Sequence, residues 1–184
     1  ALSSRHAPYE GDLFGPGYGT QLTPWTRPNS NGYTIYPDGY TPAWSGIDAI
    51  EGPEPASGTM AFVYVPDFRE RPIIREASWM GAETAGHTFD APILVTNGST
   101  LHIDASDVVA GRLEVAAGST VRVAPGGRLH LMLGSELILR HDARLEIEGE
   151  VQLDGWLRRA PGAVVERKSA GRIGVSSTTT TQSR

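Results

Sequence analysis

The chain contains no cysteine, which excludes disulfides and thiolate metal sites and leaves the redox compartment open. Lys168 is its single lysine; the other cations are arginines scattered among acids, and the net charge is -5. No basic cluster exists to release counterions from a phosphate backbone, so nucleic acid is not an expected partner. Apolar runs also fall short of the roughly 20 residues of a membrane-spanning helix, so no membrane partner is expected. The opening stretch ALSSRHAPYEG lacks a charged segment followed by an apolar core, and no signal peptide is expected in it. Ala1 fits loss of an initiator Met or of a leader, and secretion stays open.

Proline and aromatic side chains are scarce in one half only. Eleven of thirteen prolines lie at or before Pro92, and thirteen of fourteen aromatics precede it, Trp156 being the exception. Proline fixes φ and removes backbone donors, so the first half can form few long ladders or helices. Asn31-Gly32, Asp38-Gly39 and Gly52-Pro53 punctuate it with turns. Disordered segments are poor in aromatics, whereas Tyr9, Phe14, Tyr18, Trp25, Tyr33, Tyr36, Tyr40 and Trp44 recur every few residues here. These side chains bury large areas and keep a polar handle, which suits an interface. Residues 1–58 therefore read as an extended arm lying on a surface, with an irregular lobe packed on its own domain as the alternative. Within residues 59–97, which link arm to body, TMAFVYVPDF (59–68) and RPIIREASWM (71–80) read as strands.

Residues 98–165 carry a repeat. Cut from Ala110, the chain reads AGRLEVAA, GSTVRVAP, GGRLHLML, GSELILRH, DARLEIEG, EVQLDGWL. The fourth position is Leu113, Val121, Leu129, Leu137, Leu145 and Leu153; the sixth is Val115, Val123, Leu131, Leu139, Ile147 and then Gly155. An earlier unit, GSTLHIDA, supplies Leu101 and Ile103 and is set apart by an insertion, SDVV. Alternation within a unit and a period of eight between units predict short strands with one inward face. The expected fold is all-β: a short β-solenoid, three octads per coil, with a long irregular N-terminal arm. An antiparallel β-meander or barrel is the alternative. Three octads per coil would stack Arg112 on Glu136, Arg122 on Glu146 and His130 on Asp154. The Ser/Thr-rich residues 166–184 read as an extended tail.

Few residues invite chemistry. PGGRLHLMLGSE resembles part of a cupin metal motif, yet only His130 is present and no second histidine stands two residues away. His141-Asp142 occupies an octad corner, where Asp is an ordinary turn residue. Asp104 and Asp107 flank the insertion but lack a wider Ca²⁺ ligand set. His87 and Asp90 have no serine in a nucleophile-elbow context. GPGYG lacks the Lys-Ser/Thr of a phosphate loop, and the Glu146/Glu148 pair would need a cleft to act on a glycoside. No catalytic residue, metal or cofactor is expected.

The octads GSTVRVAPGGRLHLMLGSELIL, joined to the arm YGTQLTPWTRPNSNGYTIYPDGYTPAW, resemble the build of tailed-phage virion structural proteins of the decoration (cement) or head-fibre type. The resemblance is architectural and is strongest over 98–157. It implies a non-enzymatic protein on the capsid surface of a virion. It further implies a homo-oligomer, most simply a trimer, bound to the major capsid protein or other virion subunits through its arm. A glycan-recognising tail spike or extracellular surface protein is the alternative, and a bacterial β-solenoid filament or adhesin a further one.

Overall fold

Short parallel strands stacked in three columns make up most of the computed structural model, which describes residues 23, 46–51, 61–70, 72–81, 88–104, 107–175 and 181–183. Tyr9, Phe14, Tyr18, Trp25, Tyr33, Tyr36, Tyr40 and Trp44 lie outside the described residues.

The chain enters through an antiparallel hairpin, β1 (Gly46–Glu51) and β2 (Ala61–Val65). It then winds as a β-solenoid. The first coil holds β3 (Ile73–Ile74), β4 (Ser78–Met80) and β5 (Thr88–Phe89). The next runs through β6 (Ile93–Val95), β7 (Thr100–Ile103) and the start of β8 (Asp107–Val115). The rest of β8, then β9 (Thr120–Val123) and the start of β10 (Arg128–Leu139) form the third. The end of β10, β11 (Arg144–Ile147) and β12 (Glu150–Leu153) form the fourth. The last coil is β13 (Trp156–Arg159), β14 (Val164–Arg167) and β15 (Arg172–Val175). Finally β16 (Thr181–Ser183) lies on β13.

Three faces result. Face A stacks β3, β6, the second parts of β8 and β10, β13 and β16. Face B stacks β4, β7, β9, β11 and β14. Face C stacks β5, the first parts of β8 and β10, β12 and β15. All these pairings are parallel, which settles the solenoid over the meander. Strands β8 and β10 turn the corner between faces C and A without breaking, so those two faces merge into one nine-stranded sheet.

Alternation drives the fold because every second side chain can leave water. Leu101, Ile103, Leu113, Val115, Val121, Val123, Leu129, Leu131, Leu137, Leu139, Leu145, Ile147 and Leu153 are all at most 5% exposed. Fully burying one such side chain stabilises by about 1.5–3 kcal/mol before chain entropy is subtracted.

The repeat is longer and less regular than its octads suggest. Ladder strands extend to Ile73 on one side and Val175 on the other, beyond 98–165. SDVV is no insertion: Val108 and Ala110, both fully buried, pair with Leu129 and Leu131 as a rung of face C. Arg112 pairs with Glu136 and Arg122 with Glu146 at the expected 24-residue offset. His130, however, pairs with Gln152, an offset of 22, and Leu137 with Leu157, an offset of 20. Two corners shorten. The B-to-C corner takes four residues at Ala124–Gly127 but two at Glu148–Gly149, and the C-to-A bend takes two at Asp154–Gly155. The inward pair of β12 is consequently Val151 and Leu153, while Gly155 falls in the bend.

The corners use specific backbone chemistry. At the A-to-B corner, Ser99, Ser119, Ala143 and Ala163 each donate a backbone N–H to the carbonyl three residues before. The turn needs a left-handed residue, supplied by Gly98, Gly118, Gly162 and, at one corner, Asp142 with φ 55°. At the B-to-C corner Gly127, Gly149 and Gly171 stack, and a Cβ on Gly127 or Gly149 would strike a carbonyl oxygen of the coil beneath.

The ends differ. At the N-terminal end Phe68 is fully buried in the core, Val65 packs on that core, and Arg75 Nε donates to Asp48 Oδ1 of β1 at 3.1 Å. At the C-terminal end two inward columns change character. Val95–Val115–Leu139 is continued by Arg159, and Met80–Ile103–Val123–Ile147 by Arg167. An arginine that can still reach water is a physical stop to an apolar column.

Candidate functional surfaces

Outward positions of a parallel stack lie about 4.8 Å apart, so each face presents columns of side chains that read like a printed strip. On face C one column runs through Arg128, Glu150 and Arg172. Arg128 Nη2 donates to Glu150 Oε2 at 3.2 Å. The neighbouring column holds His130 and Gln152. His130 Nε2 lies 3.0 Å from Asp154 Oδ2, and Gln152 Nε2 donates to Asp154 Oδ1 at 2.6 Å. The Gln152 hydrogen bond first, then that from His130, holds the Asp154 carboxyl below its ordinary range.

This geometry separates the residues of the cupin-like stretch. His130 stands on face C, whereas Glu136 stands past the Met132–Ser135 bend on face A, bound by Arg158 at 2.6 Å and facing Arg112 at 3.8 Å. Among the described residues no group of three or more His, Asp or Glu side chains is placed to hold a metal ion. His141 pairs with its exposed neighbour Asp142 at 2.8 Å. Glu148 is taken by Arg122 at 2.7 Å, and Glu146 stacks beside Arg122 in the ladder. Asp90 is exposed at the end of β5, Asp104 donates its backbone N–H to Met80, and His87 lies outside the described residues.

Face A bears a cluster of arginines. Arg112, Arg140, Arg158 and Arg159 surround a shallow depression of about 470 Å³. Two carboxylates answer them: Glu114 accepts from Arg112 at 3.2 Å and Arg140 at 2.6 Å, and Glu136 accepts from Arg158. Arg159 Nη2 donates instead to the Ala163 carbonyl at 2.7 Å. A second open depression, at the B-to-C corner, is bordered by Arg128, Glu148, Glu150 and Arg172.

Face B offers an aromatic surface. Trp79 stacks on His102 with centroids 5.1 Å apart and planes 10° from parallel. They head an outward column that continues through Arg122, Glu146 and Glu166. Sequence reading missed this pair because Trp79 precedes the visible octads. The recurrence of Ile93-x-Val95 before Asn97-Gly98 was the available signal that the repeat starts earlier.

The fold and its surfaces define a short three-faced parallel β-solenoid with an antiparallel hairpin at its N-terminal end. Comparison with protein-family models, with curated proteins and with solved structures found no match.

Proposed function

We propose that this chain is a non-enzymatic structural protein: a rigid β-solenoid body carrying an interface-forming aromatic arm. Its charge layout supports this reading. Ionisable side chains on the ladders are engaged with one another along and across coils, as Arg122 is with Glu148 and Arg128 with Glu150. Catalysis needs the opposite, groups gathered with perturbed proton affinities in one cleft.

The setting taken from the sequence resemblance is the exterior of a virion capsid, where the arm of a homotrimer would bind capsid subunits and brace the shell. Trp25, Tyr33, Tyr36 and Trp44 would be the anchors, since buried aromatics dominate such interfaces. The full chain and a Trp25→Ala/Tyr33→Ala/Tyr36→Ala/Trp44→Ala variant should be compared for retention on the particle that copurifies with the wild type. Retention should be lost with the β-sheet spectrum unchanged; equal retention refutes the arm's role, and copurification with no particle refutes the virion setting.

The Trp79–His102 stack favours a second reading, glycan recognition on face B, because sugar rings pack on flat aromatic surfaces. A glycan array probed with the wild type and Trp79→Ala separates the two: this reading requires binding that the substitution removes.

A further inference from the structure

We propose that the basic last coil of the solenoid docks head-to-tail onto the acidic, hairpin-capped end of a second copy of this chain. Three independent observations lead there, and none depends on what the arm binds.

The first is electrostatic. Residues 156–175, the last coil, carry Arg158, Arg159, Arg167, Lys168 and Arg172 against Glu166 alone, a net +4 within a chain of net -5. The described residues of 46–90, the hairpin and first coil, carry six acids (Asp48, Glu51, Asp67, Glu70, Glu76 and Asp90) against Arg69 and Arg75, a net -4. The molecule is thus polar along its stacking axis, and opposite ends of two copies attract where like ends repel.

The second is the placement of exposed apolar surface. Among the described residues six large apolar side chains are exposed, and five lie at the two ends. Val63 and Tyr64 sit on the hairpin, 54% and 59% exposed; Trp156, Val164 and Ile173 sit on the last coil at 39–40%. The sixth, Leu133, marks the C-to-A bend.

The third is open backbone. Each of β14 and β15 has a partner on one side only among the described residues, β11 and β12 respectively. Such edges invite pairing. Arg167, at an inward position of β14, decides with what: an apolar strand would bury its charge, whereas an acidic surface would pair it. Arg159, on β13 beside β16, adds to the same basic coil. A contact between unlike ends is heterologous, so copies either close into a ring or run on as a filament.

The test is analytical ultracentrifugation of the full chain across a concentration series. At about 10 mM salt, where the Debye length is ~30 Å, mass should rise above that of the smallest species; near 1 M, where it is ~3 Å, that smallest species should return. Arg159→Glu/Arg167→Glu should weaken association roughly tenfold or more at low salt, and so should Glu70→Arg/Asp90→Arg. All four positions are exposed, so circular dichroism should match the wild type. Mixing the two charge-reversed variants should restore a complex between them. A wild type whose mass does not change between low and high salt overturns the proposal. So does association that strengthens with salt, the mark of apolar tail-to-tail contact, or a reversed pair that stays apart when mixed.

Discussion

Single residues in this fold are fixed by what lies one coil away. Gly149 is the sharpest case, because a Cβ there would collide with the carbonyl oxygens of Gly127 and Ala124. Gly118→Ala meets no atom within 4 Å but must hold φ at +71°. Gly149→Ala should therefore cost about 1–3 kcal/mol through backbone displacement, and Gly118→Ala about 1 kcal/mol through strain alone. Urea midpoints of the two variants measure the difference. Asp154 supplies a pH-dependent case. Its carboxyl is held low by Gln152 and His130, so its contribution is present above the ordinary aspartate range. That contribution is lost as pH falls through the lowered folded value. Carboxyl chemical shifts should titrate below the ordinary Asp midpoint, and Gln152→Ala should move the midpoint upward. Glu166 and Lys168, which pair on the last coil, shift in opposite directions, down and up, each chiefly because it hydrogen-bonds the other.

At the scale of the element, a coil is stabilised by its neighbours rather than by itself. Val121 and Val165 occupy the same inward column of face B, two coils apart, with Leu145 between them. Val121 is fully buried, whereas Val165 is only partly covered. Val121→Ala should cost about 2–3 kcal/mol and Val165→Ala about 1 kcal/mol by chemical denaturation. Amide exchange should likewise be fastest along β14 and β15 and slowest in β8–β10. The inward pairs of β7, β9, β10 and β11 were legible in the sequence because a period of two inside a period of eight has no helical counterpart. What stayed hidden was corner length. Two residues in place of four at Glu148–Gly149 leave the strand pattern intact while sliding His130 from Asp154 to Gln152. Asp154 is still reached, because side chains span a two-residue slip that backbone pairing cannot. Val108 and Ala110 were hidden for a related reason. Gly111 and Arg112 stand between them and the next inward pair, two residues where strict alternation has one, so a whole rung looked like an interruption.

At the scale of the molecule, the uneven offsets carry a practical consequence. Ala116–Leu139 is one 24-residue lap of the chain: Thr120 lies under Arg144 and Arg112 under Glu136, so its first residue and the residue after its last occupy equivalent corners. The lap is therefore a unit of length that can be copied. A second Ala116–Leu139 placed between Leu139 and Arg140 would meet Leu, Val or Ile in its inward columns, its last leucine taking Leu139's place against Arg159, and the arginine-bearing lap would still come last. The lengthened protein should fold as cooperatively as its parent and grow by about 4.8 Å along the stack, measurable by small-angle scattering. Height in this protein is thus an adjustable quantity, counted in laps and closed off by two guanidinium groups.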